Sequence, residues 1–201
     1  MAERRLTPKV LNIALFVALA GVVTLYRLLP VQDYSSGVEL GAGAVTDLVV
    51  PDGFLNFAIW PAPDLLLCLT LAWVVRRPDL LPAPVIAAYF LFEDLLLLRP
   101  PGAWAFVVLM GTEFLRRRTP LLRGAGFWLE YALVTGLMGA MFVAYRALLA
   151  IVMVPQAPLD LSFVQLVGTV VVYPVIVALV HFVLNLRKPA TGELDGMGQK
   201  L

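Results

Sequence analysis

The stretch FWLEYALVTGLMGAMFVAYRALLAIVMV, residues 127–154, holds only two charged side chains, Glu130 and Arg146. A helix rises about 1.5 Å per residue, so about 20 apolar residues cross a hydrocarbon core ~30 Å thick. This run exceeds that length and reads as one long, tilted span. Working outward, similar blocks occupy residues 10–29, ending at Pro30, and 161–186, leading into a polar tail. Three shorter blocks lie between, at residues 63–75, 82–98 and 103–115.

The breaks between the shorter blocks are chemically abrupt. Arg76-Arg77-Pro78-Asp79 closes the first, Arg99-Pro100-Pro101-Gly102 the second, and Arg116-Arg117-Arg118 the third. Proline lacks the backbone donor and clashes with the preceding turn, so a helix does not run through the Pro-Pro pair. Pro63, by contrast, is tolerated in a first turn. The three short blocks fit either a locally thinned membrane or, for 82–98 and 103–115, a re-entrant hairpin.

Composition agrees with lipid as the solvent. Of 201 residues, 61% are hydrophobic and 14% charged, against roughly 45–50% and 25% in soluble domains. The expected fold is an all-α integral membrane protein of about six transmembrane helices, a single domain over residues 1–201. Arg4, Arg5 and Lys9 precede the first apolar run as in a signal peptide, but that run is too long and no small-residue cleavage site closes it, so it reads as an uncleaved span. Residues 31–53 carry Asp33, Glu39, Asp47 and Asp52 with no Lys or Arg. They form a water-exposed loop within 31–60, with room for an interfacial helix near residues 45–60. Of the 15 Lys and Arg, 12 fall beside span ends on one side of this topology. The positive-inside rule makes that side cytoplasmic, with both termini and the tail 187–201 in it, and the loop periplasmic.

Ionisable groups inside a membrane need a partner or a purpose, since each costs about 2.5–3.5 kcal/mol at a helix centre on insertion scales. In the outer half lie Arg27, Asp64, Glu93, Asp94, Arg99 and Arg146. Three acids meeting three bases suggest an ion-pair network, with Glu93 or Asp94 to Arg146 or Arg99 as the favoured pairs; the alternative is a charged cavity for substrate or protons. In the inner half, Glu113 precedes Arg116 and Arg117 at helical spacing, which places them on one face, and Glu130 follows Arg123. His181 reads as a packing residue. Trp60, Trp104, Trp128 and Tyr26 read as interfacial anchors. Gly136, Gly139 and Ala140 form a small-residue helix packing face, within the chain or between chains.

Phosphate-binding loops, the zinc-protease HExxH, the serine-hydrolase G-x-S-x-G and Cys/His clusters are all missing from the sequence. Cys68 stands alone and can form neither an internal disulfide nor a thiolate cluster. An enzyme using Glu93 and Asp94 as acid and base is disfavoured, because neighbours on a helix point about 100° apart.

The series WPAPDLLLCLTLAWVVRRPD (60–79), FEDLLLLRPPG (92–102), GTEFLRRR (111–118) and FWLEYAL (127–133) resembles, in this order, the bacterial rod shape-determining MreD family, in its alphaproteobacterial form. Residues 31–56 depart from the pattern by their length. The resemblance implies a fold similar to the substrate-binding membrane subunit of energy-coupling-factor transporters. It implies a non-enzymatic scaffold in the bacterial inner membrane that supports side-wall peptidoglycan synthesis and cell shape. The implied partners are the transmembrane helix of MreC and, more widely, MreB, RodA, its transpeptidase and membrane lipid, with no cofactor and no nucleic acid. Asp64, Glu93, Asp94, Arg99 and Glu113 match its motifs, and Arg146 joins them by depth. The competing reading is a substrate-capture subunit of a transporter for a small molecule or lipid-linked headgroup. The scaffold predicts charges satisfied internally; the capture subunit predicts a formed pocket.

Overall fold

The structure, a computed structural model, describes residues 3–28, 61–123 and 126–182. The acidic loop, the expected interfacial helix near 45–60, Trp60 and the tail lie outside the described residues. What is described is all-helical: α1 (Glu3–Leu28), α2 (Leu65–Arg76), a 3-10 turn (Pro78–Leu80), α3 (Ala83–Leu96), α4 (Ala103–Arg123), α5 (Phe127–Ile151) and α6 (Leu159–Phe182). Among the described residues, three helices are long and apolar enough to cross a membrane: Val10–Leu28, Phe127–Ile151 and Leu159–Phe182.

Helix α2 is the axis of the bundle. It has 12 residues, about 18 Å of helix, and is enclosed by α1, α4 and α6. Leu66, Cys68, Leu71, Trp73 and Val74 are completely buried, so this short helix is surrounded by protein. Asp64 caps its start, accepting a hydrogen bond from the Leu67 amide at 2.9 Å, and thereby satisfies one of the donors a helix start leaves open. Arg77 before Pro78 is biased away from helical geometry, and the helix stops there.

Helix α3 begins behind Pro82, with Pro84 in its first turn, where a missing amide costs nothing. It ends in a Schellman cap: the Arg99 amide donates to Asp94 O (2.9 Å) and the Leu98 amide to Leu95 O (3.4 Å). Helix α5 ends in the same way, through Val154 to Leu149 O (3.0 Å) and Met153 to Ala150 O (3.1 Å). In both caps the left-handed position is taken by a large apolar residue instead of glycine, Leu98 at φ 52° and Met153 at φ 56°.

Helix α4 runs on past the expected end at Leu115 to Arg123. Arginine is a good helix former, so Arg116–Arg118 continue the helix, although they make it too polar for a uniform span. Within α6, Pro174 cannot donate to Val170 O, and the Tyr131 hydroxyl donates to that carbonyl at 3.4 Å. The freed acceptor thus becomes a tie between α5 and α6.

Contacts between helix ends fix the directions. The end of α1, the start of α2 and the end of α3 meet through Arg27, Asp64 and Glu93. The end of α2 and the start of α5 meet through Arg76 and Glu130. Arg116, late in α4, donates to Leu81 O at 2.8 Å. Successive helices therefore run up and down, with Asp64, Glu93 and Arg146 near one end and Arg76, Arg116 and Glu130 near the other.

Candidate functional site

Two buried charge clusters sit at the two ends of α2. In the first, Arg27 Nη2 lies 2.8 Å from Asp64 Oδ1 and Nη1 lies 2.7 Å from Glu93 Oε1. The guanidinium fork matches two carboxylates at once, as a planar five-donor group can. The Asp64 amide donates to Thr169 Oγ1 (2.9 Å), so α6 holds the same corner. Beside it, the Thr24 and Tyr89 hydroxyls share a 2.9 Å hydrogen bond.

In the second cluster, Arg76 Nη1 lies 3.2 Å from Glu130 Oε1, which also accepts from the Tyr173 hydroxyl at 3.1 Å. Arg76 is 5% exposed and Glu130 1%. Buried ions are tolerated when paired and hydrogen-bonded, and these pairs tie α2 to α5 and α6 at that end.

The expected pairings are corrected at both ends. Glu93 takes Arg27, not Arg146 or Arg99, because the last turn of α1 lies against the end of α3. Asp94, one residue on, points to a different neighbour: its Oδ2 accepts from the Gly102 amide (3.1 Å) and the Ala105 amide (3.2 Å). It caps the start of α4 from another helix, a favourable place for a carboxylate at the positive end of the helix dipole. Arg76, read as a flanking cytoplasmic charge, is buried in the bundle, where it takes Glu130. The clue available in sequence was Glu130, a carboxylate in an apolar helix without a basic residue one turn away.

Glu113 and Arg116 stand 3.4 Å apart on one face of α4, a longer contact between partly exposed groups. Trp104 was expected at an interface; it is buried, edge-on to Tyr145 with ring centres 5.0 Å apart. Trp128 and Tyr26 are exposed. Cys68 is buried, its thiol 3.3 Å from Thr169 O. His181 lies edge-on to Phe182, ring centres 5.1 Å apart.

Gly136 and Ala140 face outward on α5, and a Cβ at Gly136 or Gly139 would meet no described atom within 4 Å. Among the described residues, Gly136 and Gly139 are therefore not a close packing face within the bundle. The close approach between α4 and α5 occurs at Gly111 instead, where a Cβ would stand 2.6 Å from Met141 Sδ.

Arg99 and Arg146 face a cavity of about 400 Å3 near the first cluster, between α2, α5, α6 and the α3–α4 and α5–α6 turns. Its wall includes Asp64, Trp104, Phe142, Tyr145 and Gln165. Arg146 Nη1 donates to Ala157 O and Ser162 Oγ, both at 3.1 Å, and Gln156 Nε2 donates to Arg146 O at 3.0 Å. These are neutral acceptors. Among the described residues, neither Arg99 nor Arg146 has an ion pair. The described His, Cys, Asp and Glu form no group that could hold a metal ion.

This end of the bundle therefore separates into three arrangements: a triad at Arg27, a helix cap at Asp94, and a cavity lined by two arginines and the edge of Asp64. Against family models, curated proteins and solved structures, the chain has no match.

Proposed function

We propose that this chain is a multi-pass scaffold of the bacterial inner membrane with both termini cytoplasmic, a member of the MreD type that binds the transmembrane helix of MreC and serves the machinery of side-wall peptidoglycan synthesis. The observation that carries the reading is the commitment of the buried charges: Arg27, Asp64 and Glu93 at one end and Arg76 and Glu130 at the other are used to join helices. A bundle locked at both ends offers rigid outer faces. One such face, on α5, presents Ala132, Gly136, Ala140 and Ala144 outward at four-residue spacing. Small residues at that spacing let another helix approach closely, which is how helices associate where no hydrophobic force drives them together. The six-span topology and the similarity to the energy-coupling-factor subunit belong to the same proposal, supported by the alternating helix directions.

The test is co-expression with the MreC of the same organism, extraction in mild detergent and pull-down, with an unrelated membrane protein of matched charge as control. Stoichiometric co-purification supports the scaffold. Purification alone, or equal recovery with the control, refutes MreC binding. A second reading, the capture subunit for a small molecule or lipid-linked headgroup, is favoured by the cavity, whose volume falls in the ~300–1,000 Å3 range of ligand sites. Retention of a bound small molecule through purification would support it.

A further inference from the structure

The cavity has an electrostatic character that the two charge clusters do not share. Each of the three acids at this end has a partner other than Arg146: Asp64 and Glu93 pair with Arg27, and Asp94 Oδ2 accepts from the amides that open α4. Glu93 Oε2 and Asp94 Oδ1 accept no hydrogen bond among the described residues, and Arg99 stands near enough to both acids to interact with their charge without forming an ion pair. Asp64 contributes to the wall, but its Oδ1 already takes Arg27 and the Leu67 amide. Arg146 is held in place by a carbonyl and a hydroxyl, which orient a guanidinium without cancelling its charge. Arg99 is oriented by its backbone, through the cap on α3. A third donor is also open: Trp104 is 8% exposed, lines the cavity, and its indole N–H has no hydrogen-bond partner among the described residues. Buried donors without acceptors are uncommon in folded proteins and call for an explanation.

The remaining wall is mixed, with the apolar Leu67, Met138, Phe142 and Leu149 beside the polar Gln156, Ser162, Gln165 and Thr169. At the rim stand the two strained caps. Leu98 is 93% exposed and Met153, next to the wall residue Val154, is 90% exposed. Large apolar side chains held outward at positive φ beside a cavity suit contact with an apolar chain better than contact with water. Backbone strain of this kind gathers at ligand clamps.

We propose that the cavity binds a phosphate-bearing ligand, its oxyanion between Arg99 and Arg146 and within reach of the Trp104 N–H. Its apolar part lies against the α5 side of the wall and leaves past Leu98. A guanidinium pair recognises phosphate through bidentate, charge-assisted hydrogen bonds. The same chemistry is offered by the headgroup of an anionic membrane lipid and by a free phosphate. The inference rests on the reading of the chain as membrane-embedded and is independent of MreC.

The experiment is native mass spectrometry of the full chain released from detergent micelles, titrated with phosphatidylglycerol, with phosphatidylcholine and with inorganic phosphate. Arg99→Gln breaks no ion pair among the described residues, although it removes a charge that also acts on Glu93 and Asp94, so Arg146→Lys, which keeps the charge but loses the fork, is the second variant. One phosphatidylglycerol bound in preference to phosphatidylcholine, persisting in excess phosphate and weakened at least about tenfold by Arg99→Gln, supports the lipid source. Arg99-dependent binding of inorganic phosphate that displaces the lipid supports the free anion. Equal binding of the two lipids with no phosphate binding, or binding indifferent to Arg99→Gln, overturns the proposal. Recovery of the chain without detergent refutes the membrane reading separately.

Discussion

Replacing Arg27 with leucine removes the one cation shared by Asp64 and Glu93 while keeping apolar bulk at the end of α1. Glu93 is completely buried and Asp64 nearly so, so both carboxylates are left in a poorly solvating site. Removing one partner of a buried ion pair costs about 3–5 kcal/mol, mostly as the penalty on the charge left behind. With two carboxylates paired to this guanidinium and only the more distant charge of Arg99 remaining near Glu93, Arg27→Leu is expected toward the upper end of that range. The triple variant Arg27→Leu/Asp64→Asn/Glu93→Gln removes all three charges, and the asparagine it introduces before α2 still caps the Leu67 amide, since its side-chain oxygen accepts as well as aspartate's does. Its cost is expected to fall to about 1–2 kcal/mol, since deleting a whole buried network is far milder than breaking it. The assay is unfolding in mixed micelles on titration with a denaturing detergent, followed by far-ultraviolet circular dichroism, with Tyr26→Leu as an exposed control. The reasoning is refuted if Arg27→Leu loses less than about 1 kcal/mol, or if the triple variant is no more stable than the single one.

At the other end of α2, Glu130→Leu strands Arg76 and should cost about 3–5 kcal/mol, whereas Tyr173→Phe removes one hydrogen bond to a charged acceptor and should cost about 1.5–3 kcal/mol; the same unfolding assay ranks them, and a reversed order would contradict the cluster. Gly111→Ala places a methyl against Met141 and should cost about 1–3 kcal/mol by overpacking. Gly136→Ala should instead be neutral or gain up to about 1 kcal/mol, and Gly136→Leu should leave the bundle stable while reducing co-purification with MreC. Leu98→Gly relieves a left-handed backbone at an exposed site, for a net gain of about 0.5–1 kcal/mol after the flexibility of glycine is counted; a loss would mean that Leu98 is packed in the unperturbed protein.

That the described fold is all-helical, with three helices long and apolar enough to cross a membrane, was legible from the apolar runs, because length and hydropathy are one-dimensional properties of a chain. The helix breaks at Arg77-Pro78 and Pro100-Pro101-Gly102 were equally legible, since proline acts on its immediate neighbours whatever the tertiary context. The end of α4 was not: three arginines resemble a boundary when hydropathy is read, yet they are good helix formers and the backbone continued through them.

Pairing was decided by the tertiary structure alone. The sequence supplied three acids and three bases in similar positions relative to its apolar runs, but not that α1 would set Arg27 against α3, that Asp94 would turn to the amides of α4, or that Arg146 would be held by the α5–α6 turn. Arg76 shows the reason most plainly. Flanking an apolar run, it has the local signature of an interfacial charge, and only the position of α2 at the centre of the bundle buries it against Glu130. Position along an apolar run can be read from one helix, but enclosure by neighbours is a property of the whole bundle, and it is enclosure that separates the committed charges from the two arginines facing the cavity.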